Sequence, residues 1–223
     1  ISSTSAGTLT CTNTIVTTGV VSPSSPVSYN WSGPSVVSGG SSATANVNQP
    51  GTYNYTVTNT SNGCRTFGST SVTQNTVVPD VSASVTNSIT CAVTTASVIA
   101  STPSSPVSYN WTGPGITAGA NTATATVNAG GTYNYSVTNT TNGCRSVGSV
   151  SVTQNTPTFT VAASGTNSLN CVTTSASISA STTASPIAYN WSGPSIVSGN
   201  GTPTISVNTG GTYNYTATNT SNG

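Results

Sequence analysis

Residues 51–64 read GTYNYTVTNTSNGC. Tyr53, Tyr55 and Val57 take alternate positions, with Thr52, Asn54, Thr56 and Thr58 between them. In an extended chain successive side chains point to opposite faces, so this pattern predicts a half-buried antiparallel strand, apolar inward and polar outward. At its end Asn62-Gly63 suits the positive backbone angles of a tight hairpin turn, which returns the chain along a further strand from Arg65. Upstream, Val27, Tyr29 and Trp31 share one face of a second such strand, opposite Ser28, Asn30 and Ser32.

The same words recur. GTYNYSVTNTTNGC begins at Gly131 and GTYNYTATNTSNG at Gly211, while VSYNWSGP from Val27 returns as VSYNWTGP from Val107 and IAYNWSGP from Ile187. Cys11, Cys91 and Cys171 keep the same 80-residue period, as do Trp31, Trp111 and Trp191, and Cys64 with Cys144. A unit of this size is long for a solenoid and right for a small β-sandwich. The expected domains are 1–78, 79–157 and 158–223, the third ending before a counterpart of the last strand. In the middle unit, strands are expected near 81–87, 92–101, 106–112, 122–128, 131–140 and 145–154, punctuated by turn words such as SPSSP, SGP and SNG. Gly115 to Ala118 reads as the continuation of the strand before the Gly113-Pro114 bend. The fold class is all-β: tandem immunoglobulin-like sandwiches of about six to seven strands each. Short proline-containing linkers, VVPD and PTFT, favour a rod-like array.

Composition removes most chemistry. Charged residues make up 1% of the chain: Arg65, Arg145 and Asp80, with no Lys, Glu, His or Met. Ordinary soluble domains carry roughly 25%. General acid-base catalysis needs His, paired carboxylates or a tuned Lys, and a serine without an adjacent base is only a hydroxyl. One carboxylate cannot anchor calcium or magnesium, and two arginines 80 residues apart make no nucleic-acid stripe. The expectation is therefore no catalytic residue, no metal site, no cofactor and no nucleic-acid partner. No run approaches the roughly 18 apolar residues of a membrane span, and Ile1 opens no signal peptide. Ser and Thr exceed a third of the residues, yet aromatics placed at a fixed period argue against a disordered tract. Those aromatics are the expected core: Tyr29, Trp31, Tyr53 and Tyr55, then Tyr109, Trp111, Tyr133 and Tyr135, then Tyr189, Trp191, Tyr213 and Tyr215. The competing reading of the Tyr-Asn-Trp triplets is an exposed platform that stacks on sugars. Asn-X-Ser/Thr sequons recur at Asn30, Asn54, Asn59 and their copies, no more often than this Asn- and Ser/Thr-rich composition predicts by chance.

The order Cys, YNWSGP, GTYNYTVTNTSNGC resembles the immunoglobulin-like or PKD-like repeats strung along large secreted surface proteins of Bacteroidota, gliding-motility adhesins among them. The resemblance spans every repeat and rests on fold words. It implies extracellular stalks or adhesive arrays, exported by a dedicated secretion system and often disulfide-bonded. The chain departs from the pattern where relatives carry an acidic residue before the final Asn-Gly-Cys: Asn59 and Asn139 stand there, so calcium binding is not carried over.

Five cysteines at fixed spacing, without His or acidic clusters, argue for disulfides over metal. Within a domain the pairs would be Cys11–Cys64 and Cys91–Cys144, leaving Cys171 for a residue beyond the chain. That pairing needs both cysteines at one pole of the sandwich, hence an odd number of strands between them, and a separate strand at Gly115 to Ala118 would reverse the parity. The expected function is a non-catalytic structural segment of an extracellular filament, fibre or adhesin stalk on the cell surface, self-associating because a nearly uncharged surface repels little. The alternative is an adhesin repeat that binds glycans or surfaces directly through its aromatic and polar residues. The chain itself reads as an excerpt, about 2.8 repeats of a longer polypeptide.

Overall fold

The computed structural model describes residues 1–4, 7–166 and 168–223. The first repeat contributes β1 (Ser2–Thr4), β2 (Leu9–Thr10), β3 (Val16–Val21), β4 (Val27–Ser32), β5 (Val36–Ser38), β6 (Thr44–Val47), β7 (Gly51–Asn59), β8 (Arg65–Val72) and β9 (Gln74–Asn75). The second follows in the same order as β10 (Ser82–Val85), β11 (Ile89–Thr90), β12 (Ala96–Ser101), β13 (Val107–Thr112), β14 (Ile116–Ala118), β15 (Thr124–Val127), β16 (Gly131–Asn139), β17 (Arg145–Val152) and β18 (Gln154–Asn155). The third comprises β19 (Val161–Thr166), β20 (Ala176–Thr182), β21 (Ile187–Ser192), β22 (Ile196–Ser198), β23 (Thr204–Val207) and β24 (Asn214–Asn219). Among the described residues there is no helix.

Each complete repeat is a two-sheet sandwich. One sheet has the order β1-β3-β6-β5 and the other β4-β7-β8, repeated as β10-β12-β15-β14 and β13-β16-β17. This is the four-plus-three arrangement of a constant-type immunoglobulin domain. A short parallel pair forms a separate two-stranded sheet in each: Leu9 and Thr10 with Gln74 and Asn75, and Ile89 and Thr90 with Gln154 and Asn155. The third repeat shows β19-β20-β23-β22 and the pair β21-β24.

Two strand expectations are corrected. Residues 92–101 do not form one strand, because Cys91 to Thr95 turn between β11 and a later-starting β12. Ile116–Ala118 is a separate strand that pairs antiparallel with β15 in the sheet opposite β13. The Gly113-Pro114 bend thus carries the chain from one sheet to the other rather than extending a strand. The hairpin is also longer than Asn-Gly alone: Thr58 pairs with Arg65, and the intervening turn is closed by the Gly63 N–H donating to the Asn59 carbonyl at 2.8 Å. Gly63, Gly143 and Gly223 do take the positive φ that this turn demands, at 74°, 71° and 77°.

Alternation explains the core. Buried apolar residues form three separate clusters, one per repeat, running from Leu9 to Val72, from Ile89 to Val152 and from Ala180 to Val207. Trp31, Trp111 and Trp191 are 5%, 2% and 3% exposed, and each indole N–H donates to a backbone carbonyl, of Ser42, Thr122 and Thr202 respectively. Their rings lie 5.2, 5.5 and 5.0 Å from those of Tyr55, Tyr135 and Tyr215. Tyr53 and Tyr133 are fully buried, and their hydroxyls donate to the carbonyls of Gln49 and Ala129, four residues upstream, as the tyrosine corner of such sandwiches does. Tyr213 makes the same bond to Thr209 but is only half-buried, as are Tyr135, Tyr215 and the strand partners Tyr29, Tyr109 and Tyr189.

Burial raises the Tyr133 hydroxyl above its ordinary value of 10.0. Above pH 10 the unfolded chain therefore binds fewer protons than the folded one, so stability is complete below that pH and falls as pH rises further. Thermal melts between pH 8 and 11 should show this decline, and Tyr133→Phe should flatten it; equal slopes in both proteins would contradict it.

Candidate functional site: the junction between repeats

The site with the most specific geometry is where one repeat meets the next. The hairpin after β16 begins at Asn139, whose side-chain oxygen accepts the Thr141 N–H at 2.9 Å. This turns Asn142 toward the preceding repeat, where it is 1% exposed. Its amide donates to Asn75 Oδ1 at 3.0 Å and to the Val77 carbonyl at 2.9 Å, its own Oδ1 accepts the Cys144 N–H at 2.9 Å, and its carbonyl accepts the Cys11 N–H at 3.1 Å. A buried primary amide has two donors and an acceptor to satisfy, and here the linker and the hairpin satisfy them all. Ser146 donates to the carbonyl of Pro79, itself a fully buried linker residue.

Beside these contacts Cys11 and Cys144 form a disulfide, with Cα atoms 5.1 Å apart and a sequence separation of 133. This corrects the expected pairing. Cys11 does not bond Cys64, nor Cys91 bond Cys144; Cys64, Cys91 and Cys171 are exposed free thiols. The reason is the parity that β14 reverses. Cys11 follows β2, which lies beside Asn75 at the far end of the last strand, whereas Cys64 stands just before that strand's first residue, Arg65. At about 3.3 Å per residue, the strand holds the two thiols roughly 30 Å apart. A disulfide needs Cα atoms within about 7 Å.

The three copies of the hairpin form an internal comparison. Asn62, Gly63 and Cys64 are exposed, and a Cβ on Gly63 would meet nothing. Asn142 and Cys144 are buried, and a Cβ on Gly143 would overlap the Thr12 side chain. Asn222 is 6% exposed, its amide donates to Asn155 Oδ1 at 3.4 Å, its carbonyl accepts the Ala92 N–H at 3.2 Å, and a Cβ on Gly223 would run into Ala92. The same sequence is thus free once and docked twice.

A matched pair of substitutions follows. Gly63→Ala and Gly143→Ala both force alanine into positive φ, at about 1–2 kcal/mol. Only Gly143→Ala also meets Thr12, so urea denaturation should find it weaker than Gly63→Ala by about a further 1–3 kcal/mol. Equal losses would show that the second hairpin is not docked.

Elsewhere the surface is plain. An open groove on the outer face of β13, β16 and β17 is lined by Asn110, Thr112, Asn134, Tyr135 and Arg145, without a base or a carboxylate. Among the described residues no group of His, Cys, Asp or Glu could hold a metal ion, and no helix is long and apolar enough to cross a membrane. Arg65, Arg145 and Asp80 are exposed. Sequence spacing brought out every cysteine, but it read Asn142-Gly143 only as a turn; the Asn-Gly step recurs in all three hairpins.

Fold and junction together define a tandem array of immunoglobulin-like repeats. No protein-family model matches the chain, and no curated protein matches it. Among solved structures it is similar to the three N-terminal domains of the Highly Immunogenic Outer Capsid protein of bacteriophage RB49, at 15% identity over 84% of this chain and 74% of that one, with a TM-score of 0.37. Murine CEACAM1b is similar at 12% identity over 63% and 92%, TM-score 0.34, and the titin I9-I11 tandem at 11% over 91% and 88%, TM-score 0.29.

Proposed function

We propose that this chain is a non-catalytic structural segment of an extracellular tandem-repeat stalk or filament, divided into domains 1–78, 79–157 and 158–223. The observation that supports this best is the junction. Two successive repeats share a disulfide and a buried asparagine that reads the linker, a way of holding neighbours in line that an enzyme domain or a flexible tether does not need. A stable disulfide also belongs to an oxidising compartment, outside the cytosol. Such an array fits the surface proteins of Bacteroidota that its repeat words resemble. Sparse charge, together with the exposed apolar side chains of Phe67 and Val147 at the same place in consecutive repeats, favours lateral self-association. Burial of Trp31, Trp111 and Trp191 removes the aromatic platform on which a glycan-binding reading stood.

Antibodies raised against the chain should decorate fibres on intact, unpermeabilised cells of its source. Labelling only after the cells are broken open would overturn the assignment to the surface.

A further inference from the structure

The three exposed thiols are not equivalent. Cys91 and Cys171 occupy in their repeats the place of Cys11, the loop after the short parallel strand or its counterpart, whereas Cys64 occupies the place of Cys144, directly after Asn-Gly. The second junction repeats four of the first one's non-covalent features: a buried asparagine, a hydrogen bond from its amide to the asparagine that ends the preceding repeat's last strand, a carbonyl taken by the loop backbone, and a glycine pressed on that loop. The loop donor shifts by one residue, from Cys11 at the bonded junction to Ala92 at the other.

We propose that the disulfide is the periodic link of the array: the loop cysteine of each repeat bonds the hairpin cysteine of the next. In a chain that continues on the 80-residue register, Cys91 is then the partner of the cysteine at position 224, after Asn222-Gly223. By the same rule Cys64 would take the loop cysteine of any repeat before it, and Cys171 the hairpin cysteine of any repeat after it. This rests on repeat geometry and not on where the protein resides. It also gives each junction two connections in parallel, linker and bridge. A cut between Val77 and Asp80 would leave the first two repeats covalently joined through Cys11 and Cys144.

Formation needs an oxidant, and a small-molecule disulfide supplies it. The Cys91 thiolate attacks one sulfur of glutathione disulfide and releases one glutathione; the position-224 thiolate then attacks the Cys91 sulfur and releases the second. Two protein thiols are oxidised, one glutathione disulfide is reduced, and two protons leave with the two glutathione thiols.

The test extends this chain after Gly223 by the thirteen residues of 144–156, CRSVGSVSVTQNT, and oxidises it in a glutathione redox buffer. Formation of Cys11–Cys144 reports correct folding of the first junction. Non-reducing peptide mapping should find Cys91 joined to the added cysteine, a link kept in Cys171→Ser and abolished in Cys91→Ser. The proposal is overturned if the added cysteine joins Cys171, or stays a free thiol while Cys11–Cys144 has formed.

Discussion

Removing the Cys11–Cys144 bridge should cost the chain about 5 kcal/mol against complete unfolding, the value the chain-entropy model gives for a loop of 133 residues. The bridge closes a loop that contains nearly all of both complete repeats, so its loss frees far more unfolded chain than any bridge confined to one domain. Asn142, Gly143 and Thr12 still fit together without it, so Cys144→Ser should keep native circular dichroism at room temperature. Calorimetry of the oxidised chain should show the first two repeats melting as one coupled transition. In Cys144→Ser that transition should move to lower temperature and separate into two. Cys64→Ser, at an exposed and unbonded position, should change neither.

Trp111→Ala is expected to come next in size. The indole is buried between the sheets, lies on Tyr135 and donates to the Thr122 carbonyl, so truncation opens a large cavity and orphans that acceptor. Losses of about 3–5 kcal/mol are usual for such a change. A sandwich of this length has roughly 4–12 kcal/mol in hand, so the middle repeat should be largely or wholly unfolded well below the wild-type melting temperature. Trp111→Phe refills part of the cavity and should recover a good share of the loss. A Trp111→Ala protein within about 1 kcal/mol of wild type would mean that the ring is not part of the core.

Much of the fold is legible because it is written in local chemistry. Tyr53, Tyr55 and Val57 alternate with polar residues over the whole of β7, and the structure buries those three and exposes Thr52 and Asn54. The 80-residue period likewise separates the repeats without any knowledge of sheet order. What sequence did not convey was which sheet a short strand joins. Ile116–Ala118 has three residues and Leu9–Thr10 two, too few for alternation to declare a face, and their places are set by tertiary hydrogen bonds to β15 and β9. The disulfide error descends directly from this. One unrecognised strand reverses the direction of all that follow, and so moves Cys144 to the opposite pole from Cys91. The burial of Asn142 escaped notice for a related reason: an Asn-Gly step announces a turn, while its packing against Asn75 and Val77 depends on a neighbouring repeat.

The two arginines offer a direct test of repeat-to-repeat bonding. Trypsin can cut only after Arg65 and Arg145, giving fragments 1–65, 66–145 and 146–223. Cys11 and Cys64 fall in the first fragment, Cys91 and Cys144 in the second. Digestion of the oxidised, thiol-blocked chain under denaturing conditions, without reductant, should yield fragments 1–65 and 66–145 as one linked species. Mass spectrometry should site the bond at Cys11 and Cys144, and the link should be absent from Cys144→Ser. Three unlinked fragments, with bridges internal to the first two, would contradict the account.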